Sequence, residues 1–169
     1  MKVSLIMTMT VDGFIARDSG TDAELVSAYA PLFFEDTTQL IGTVIVGSNT
    51  FSLLKEPFPG RLTIVMSSVP QPERNISGIV EFHSGELKDL LAELETRGLH
   101  EVAVVGGSQL NASFLVDNLI DELYVIVAPR LFGQGISLAS NYDLETELRL
   151  LEERQLGSDA VLLHYEVVK

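Results

Sequence analysis

The sequence contains no cysteine and no tryptophan among its 169 residues. The lack of cysteine excludes disulfides, thiolate metal sites and cysteine nucleophiles. No apolar run is long enough to cross a bilayer, so no membrane association is expected. The N-terminal residues carry one basic residue and a short apolar run, without the cleavage site of a secretory signal peptide. Together these absences predict a cytoplasmic protein.

Positive charge is also scarce. Eleven lysines and arginines face 24 aspartates and glutamates, which gives a formal net charge of −13. Such a chain repels a polyanion, so nucleic acid is not an expected partner, although backbone N–H groups can still hold a small anionic ligand. The three histidines, His83, His100 and His164, do not cluster along the sequence, and we expect no metal site.

Short β-branched runs alternate with helical patterns, which is typical of an α/β domain. Residues 43–47, 62–66, 102–105 and 123–128 have the composition of strands buried on both faces, and 78–82 is a weaker strand candidate. The alternation of Val3, Leu5, Met7 and Met9 predicts a first strand. We therefore expect a single three-layer domain over residues 1–169, with a mostly parallel central sheet and helices on both faces.

Helix signals lie between these runs. Thr21 and Glu24 form a capping-box pattern, and Pro31 breaks or restarts the helix, which then continues to Gly42. An apolar stripe before Gly98 predicts a further helix with one buried face, and its members are Leu87, Leu90, Leu91 and Leu94.

The C-terminal third predicts an antiparallel hairpin. The run LRLLEERQL comes before a turn signal at 157–159, and an alternating run follows at 161–168. The total is seven or eight strands.

Small and hydroxyl-bearing residues follow three of the predicted strands. They are Gly47-Ser48-Asn49-Thr50, Ser67-Ser68 and Gly106-Gly107-Ser108. Ligands of open α/β sheets bind at the carboxyl ends of strands, and a helix that starts there presents unpaired N–H groups to phosphate. Neither the GxGxxG nor the P-loop pattern is present, and a tight turn with close helix packing explains Gly106-Gly107 equally well.

These segments, taken in order, resemble the dihydrofolate-reductase-like superfamily, closest to the branch that includes the reductase domain of bifunctional riboflavin biosynthesis proteins. The similar segments are MTMTVDGFIA, VIVGSNTF, IVMSS, VVGGSQL and LIDELYVIVAPRLFGQG. The resemblance covers nearly the whole chain. It implies an NADPH-dependent reductase with a small-molecule substrate, and a homodimer, because relatives often pair through edge strands.

The resemblance also implies roles for particular residues. Gly47 and Thr50 would contact the cofactor phosphates, and Ser67 and Ser68 would lie near the adenosine 2′-phosphate. The backbone of Ile15 and Ala16 would line the nicotinamide. The pyrophosphate site would be formed around the Gly-Gly element, by Val105, Gly106, Gly107, Ser108, Gln109 and Leu110. Possible cationic partners of the 2′-phosphate are Lys55, Arg61 and Arg74.

Departures from the family pattern leave the substrate open. Riboflavin-type reductases commonly carry a glutamate before the Gly-Gly, where this chain has Val105, and KEPFPGRLTIV keeps only part of their ribose-phosphate segment. The first candidate activity is 5-amino-6-(5-phosphoribosylamino)uracil reductase. The alternatives are a dihydrofolate- or pterin-type reductase and a non-catalytic nucleotide-binding module on the same fold.

Reduction also needs a proton, for which the candidate donors are Asp36, Glu35 and Asp12. Asp12-Gly13 is more typical of a turn than of a proton donor, and Glu35 and Asp36 fit a solvated helix face better than a catalytic role. Among the three carboxylates, Asp36 is the first choice for the donor. Arg130 is a candidate for binding a substrate phosphate or carboxylate, with a surface ion pair as its alternative. Gly133 is expected in a turn near the cofactor and substrate.

Overall fold

The computed structural model describes residues 1–20, 24–54, 56–140 and 142–169. The strands are β1 (Lys2–Thr10), β2 (Phe14–Ala16), β3 (Thr43–Gly47), β4 (Leu62–Met66), β5 (Val80–His83), β6 (Glu101–Val104), β7 (Glu122–Ala128), β8 (Ile136–Ser137), β9 (Leu148–Leu156) and β10 (Ala160–Val167). Eight of them form a central sheet in the order β5-β4-β3-β6-β1-β7-β10-β9, and a separate two-stranded sheet joins β2 to β8. The helices are α1 (Glu24–Tyr29), α2 (Pro31–Ile41), α3 (Ser48–Leu53), α4 (Leu87–Thr96) and α5 (Ser108–Val116).

Six strands of the main sheet run parallel. Strand β1 lies between β6 and β7 and is parallel to both, β3 is parallel to β6 and β4, and β5 is parallel to β4. From β3 the chain goes outward to β4, whereas from β6 it crosses to β7 on the other side of β1. The direction of winding therefore reverses between β3 and β6. Ligands of open α/β sheets bind at such a switch point, at the carboxyl ends of the strands.

The sheet buries both of its faces. One face packs against the side of α1 to α3, where Val44, Val46 and Val65 join Phe34 and Phe51 in one core cluster. The other face packs against the side of α4 and α5, where Ile45, Val104 and Phe114 belong to a second cluster. The predicted three-layer α/β domain is confirmed.

The leucine stripe of α4 attaches this helix to the sheet by burying one of its faces. All four leucines at positions 87, 90, 91 and 94 are buried, and Leu94 is completely so. Burying a leucine side chain contributes about 1.5–3 kcal/mol. The helix ends at Thr96, and Gly98 follows with φ of +84°, a conformation that favours glycine.

The predicted antiparallel hairpin is formed by β9 and β10, with Gly157 in the turn. The predicted first strand is confirmed as β1, and it is buried on both faces, because Ser4, Ile6 and Thr8 are as buried as Val3, Leu5 and Met7. The short strands β2 and β8 were not predicted, since two or three residues are too few to show a periodic pattern. Thr21 of the expected capping box lies outside the described residues.

In the part of the chain that the structure describes, no helix is both long enough and apolar enough to cross a membrane.

Candidate active site

Two neighbouring depressions open at the carboxyl ends of the central strands. The larger depression, which we call the groove, has a volume of about 1140 Å³. It is lined by eight of the predicted cofactor residues, namely Gly47, Thr50, Ser67, Ser68, Gly107, Ser108, Gln109 and Leu110. The smaller, called the cavity, has a volume of about 410 Å³ and shares Thr50 with the groove. Eight of the twelve predicted cofactor residues thus lie around one groove.

The ends of β3 and β6 are joined beside the groove by a backbone hydrogen bond. The Gly47 N–H donates to the Gly106 carbonyl oxygen over 2.8 Å. A Cβ atom on Gly47 would lie 3.5 Å from the Gly107 nitrogen. Gly106 has φ of +98°, and a Cβ there would lie 3.3 Å from the Met7 sulfur. Position 106 therefore requires glycine for its conformation, whereas position 47 is open because nothing projects from it.

Helix α5 begins at the edge of the groove with Gly107 as its N-cap. The first N–H groups of a helix have no intrahelical acceptor and carry partial positive charge, so they suit an anion. The Ser108 and Ser140 hydroxyl oxygens lie 2.6 Å apart, and the Asn111 side-chain amide donates to the Leu138 carbonyl oxygen over 2.9 Å. These bonds fasten the segment after β8 beside the first turn of α5.

The opposite side of the groove is formed by the end of β4. The Ser67 hydroxyl accepts a hydrogen bond from the Gln71 amide over 2.7 Å, and Arg74 donates to the oxygen of the same amide over 2.7 Å. The Arg74 guanidinium also lies 4.3 Å from the centre of the Phe82 ring. A cationic side chain is thus connected to the groove through Gln71, although the charged residues that line the described part of the groove are Glu86 and Asp117.

The cavity has mainly apolar walls. Its lining includes Ile6, Met7, Val26, Pro31, Phe34, Leu53, Leu54, Pro57, Phe58, Pro59 and Val105. Polar lining residues are fewer and include Thr8, Ser27, Thr50, Glu35, Glu56 and Arg61. A volume of a few hundred cubic ångströms with apolar walls and few polar groups is typical of a site for a small organic molecule.

Arg61 is the buried cation of the cavity wall. Its guanidinium donates to the Thr38 hydroxyl over 2.6 Å, to a Glu35 carboxylate oxygen over 2.8 Å and to the Pro59 carbonyl oxygen over 3.0 Å. The Arg61 side chain has no exposed surface, whereas 47% of the Glu35 side chain is exposed. Arg61 therefore positions Glu35, and the suggestion that Arg61 meets a 2′-phosphate is wrong, because its side chain lies in the cavity wall.

Thr8 lines the cavity, and its hydroxyl is buried. The residue is 4% exposed, and its Oγ1 atom has no hydrogen-bond partner among the described residues. A buried polar group without a partner costs free energy, and a bound ligand that supplies one recovers that cost.

Asp12 lies in the turn between β1 and β2. Its carboxylate accepts hydrogen bonds from the Thr10 hydroxyl at 2.6 Å and from the backbone N–H groups of Phe132 and Gly133, the latter at 2.7 Å. The Thr10 hydrogen bond, helped by those two N–H groups, lowers the pKa of the Asp12 carboxyl below its usual value. The contacts are those of a turn that fastens residues 132–133, in line with the turn interpretation of Asp12-Gly13.

Several predicted residues lie outside both depressions. Asp36 is exposed and lines neither of them, and Arg130 forms an ion pair with Glu24 at 3.3 Å instead of facing the cavity. Ile15 and Ala16 are 1% exposed and do not line the groove, where Ile136 of the partner strand β8 does. Of the Gly-Gly element, Val105 lines the cavity and Gly106 lines neither depression.

Two sets of contacts were missed by the sequence analysis. The Ser140 hydroxyl lies within hydrogen-bond distance of both the Ser108 and the Ser137 hydroxyls beside the groove, and no local sequence pattern predicts these contacts. Thr8 in the cavity interrupts the apolar side chains of β1, but a threonine in a strand is too common to carry such a signal.

A mostly parallel sheet with helices on both faces and a glycine-lined groove at its switch point defines a doubly wound α/β domain. Within this class, the chain belongs to the RibD C-terminal domain family, whose model matches residues 1–162. The resemblance to the riboflavin biosynthesis reductase branch is thereby confirmed.

Three similar proteins illustrate the relationship. "Uncharacterized protein YwjB" from Bacillus subtilis is 28% identical, and the match covers 97% of both chains. Riboflavin biosynthesis protein RibD from Corynebacterium ammoniagenes is 27% identical over 82% of this chain and 46% of its own length. The structure of Acinetobacter baumannii RibD superposes with a TM-score of 0.82 at 21% identity, covering 99% of this chain and 58% of that one. The chain thus spans about half the length of the RibD proteins that it matches.

Proposed function

We propose that the chain is an NADPH-dependent reductase that binds the dinucleotide in the groove and a heterocyclic substrate in the cavity. The observation that carries this proposal is the convergence of Gly47, Gly107 and the start of α5 at one switch point, next to a separate apolar cavity. The two depressions share Thr50, so their ligands would be neighbours.

The residues of the groove fit a dinucleotide phosphate. A Cβ atom on Gly47 would fill the space beside the Gly107 nitrogen, so glycine there leaves the backbone accessible to a phosphate. The first N–H groups of α5 and the hydroxyls of Ser67, Ser68 and Ser108 are the donors that would hold the phosphates. With two carboxylates in the lining, phosphate binding here would depend on neutral donors more than on side-chain cations.

A preference for NADPH over NADH would come from residues at the end of β4, on the side of the groove where Ser67 lies. Arg74 is linked to Ser67 through Gln71, and its stacking on Phe82 restricts where its guanidinium lies. A guanidinium is well suited to a phosphate monoester. We therefore assign the 2′-phosphate contact to Ser67, Ser68 and Arg74. Lys55, the other remaining candidate, lies outside the described residues.

When bound, a reduced nicotinamide supplies a hydride to an electron-poor C=N or C=O carbon, and the nitrogen or oxygen that gains the electron pair takes a proton. Of the three predicted carboxylates, Glu35 is the one that lines the cavity. Arg61 holds it from the buried side while half of its surface faces outward. Glu35 is therefore our candidate for holding that proton or for passing it from a water molecule.

The test is NADPH consumption in the presence of a panel of substrates that contains 5-amino-6-(5-phosphoribosylamino)uracil, its dephosphorylated form and dihydrofolate. Substrate-dependent loss of NADPH absorbance supports the proposal. NADPH binding without consumption for any heterocycle would support the alternative of a non-catalytic nucleotide-binding module.

We further propose a cytoplasmic homodimer that pairs through the β9 and β10 hairpin. All but the last residue of β9 are exposed, and large apolar side chains there include Leu148, Leu150 and Leu151. β9 also ends the main sheet, and an edge strand of nine residues invites pairing with another chain.

A further inference from the structure

We propose that the substrate of the cavity is an uncharged ring compound that carries no phosphate group and that hydrogen-bonds to Thr8. This inference rests on the proposed reductase function and narrows its substrate class. Three features support it: the charges of the cavity wall, the apolar side chain of Val105 and the buried hydroxyl of Thr8.

The charge of the cavity does not suit an anion. Arg61 is the one cation in the described part of the lining, and its side chain has no exposed surface. Three of its N–H groups already donate, to Thr38, Glu35 and Pro59. Within the described lining, the charged surface left to a ligand belongs to the carboxylates of Glu35 and Glu56. Among these residues a substrate phosphate would meet like charges and would have to displace Glu35 to reach the guanidinium of Arg61, which costs affinity.

The walls point to an uncharged occupant as well. Val105, directly before the Gly-Gly element, is 8% exposed and lines the cavity beside Ile6 and Met7. Phe34 and Phe58 lie 5.8 Å apart, between ring centres, and both line the cavity. Aromatic and aliphatic walls of this kind favour the faces of a ring and offer nothing to solvate a charge.

Thr8 provides a polar contact for such a ring. Its Oγ1 atom is buried in a residue that is 4% exposed and has no hydrogen-bond partner among the described residues. A hydroxyl can both donate and accept, so it suits a ring nitrogen, an amino group or a carbonyl oxygen. Thr63 provides a matched control, because its Oγ1 atom is also buried without a partner in the described structure, yet Thr63 lines neither depression.

The experiment compares two ligands that differ only in the phosphate. The full chain, saturated with NADP⁺, is titrated calorimetrically with 5-amino-6-(5-phosphoribosylamino)uracil and with 5-amino-6-(ribosylamino)uracil. We expect the dephosphorylated compound to bind at least about tenfold more tightly. Thr8→Val should weaken its binding about fivefold to tenfold, and Thr63→Val should leave it unchanged. Because Lys55 lies outside the described residues, the pair is also measured on Lys55→Gln, where the same order is expected.

Tighter binding of the phosphorylated compound, or no binding of either, overturns the inference. Equal loss of affinity in Thr8→Val and Thr63→Val removes the assigned role of Thr8. Binding of NADP⁺, measured first in the same samples, separates these failures from a failure of the proposed function. A protein that binds NADP⁺ and prefers the phosphorylated compound is still a candidate reductase, whereas one that does not bind the dinucleotide is not.

Discussion

The Arg61 guanidinium donates to a Glu35 carboxylate oxygen over 2.8 Å across the wall of the cavity. The cation has no exposed surface and the carboxylate is about half exposed, at 47%. The buried charge therefore depends on its partner, while the partner still faces the space where a substrate would lie. This asymmetry makes Glu35 the better candidate for chemistry and Arg61 the residue that positions it.

Replacing Glu35 with Gln should separate these roles. Arg61 would keep a neutral hydrogen-bond partner but lose its counter-ion, which should lower the free energy of unfolding by about 1–3 kcal/mol. The turnover number should fall by more than the loss of folded protein accounts for, whereas the affinity for NADPH should stay unchanged. The measurements are denaturant unfolding and steady-state kinetics. The control is Asp36→Asn, at an exposed position of the same helix, which should change neither the stability nor the turnover number by much. Equal activity in both variants would exclude Glu35 as the proton donor.

The two glycines at the strand ends should respond differently to alanine. Gly47 has φ of −71°, and its added Cβ would make only ordinary contacts, so stability should stay the same or rise by up to about 1 kcal/mol. NADPH affinity should nevertheless fall about tenfold, because the methyl group occupies the space left to a phosphate. Gly106→Ala should cost about 1–3 kcal/mol of stability. Thermal unfolding measures the stability of each variant, and calorimetric titration measures its affinity for NADPH. Full NADPH affinity in Gly47→Ala would contradict the cofactor assignment.

Asp12 should make the turn before β2 sensitive to acid. Its carboxyl has a folded-state pKa below the usual value of 3.8, so its charge adds stability above pH 3.8, and this contribution is lost as the pH falls through the lower folded-state value. Asp12→Asn should therefore be less stable than the unmodified chain at neutral pH. The difference should shrink toward zero below pH 3.8. Denaturant unfolding of both proteins over this range is the measurement, and a difference that does not change with pH would contradict it.

The exposed leucines of β9 should decide the oligomeric state. Leu150→Lys should shift the chain from dimer to monomer in light scattering, because Leu150 is 49% exposed on the proposed pairing edge. Leu40 is 90% exposed on α2, so Leu40→Lys is the matched control and should remain dimeric. A monomeric mass for the unmodified chain would overturn the homodimer.

The groove was predictable from sequence because its main parts are local. Gly47, Ser67 and Gly107 each come one or two residues after the last β-branched residue of a strand run, and parallel strands bring their carboxyl ends to one edge. The cavity was not predictable in the same way. The partner of Arg61 lies 26 residues earlier in the chain, and Arg130 meets Glu24 from 106 residues away. Such pairs depend on how helices pack on the sheet, about which a single sequence carries no local signal.

Arg74 is the residue through which the groove should recognise the 2′-phosphate. Arg74→Gln should lower NADPH affinity about tenfold and leave NADH affinity unchanged, because only NADPH carries that phosphate. Arg97 is the control. It pairs with Glu81 at 2.7 Å and does not line the groove, so Arg97→Gln should bind both dinucleotides normally.

The proposed reductase function is tested most directly by calorimetric titration of the unmodified chain with NADPH and, separately, with NADH. We expect one NADPH site per chain and an affinity for NADH at least about tenfold weaker. If neither dinucleotide binds, Gly106-Gly107 serves only as a tight turn beside a helix, and the proposed reductase function is wrong.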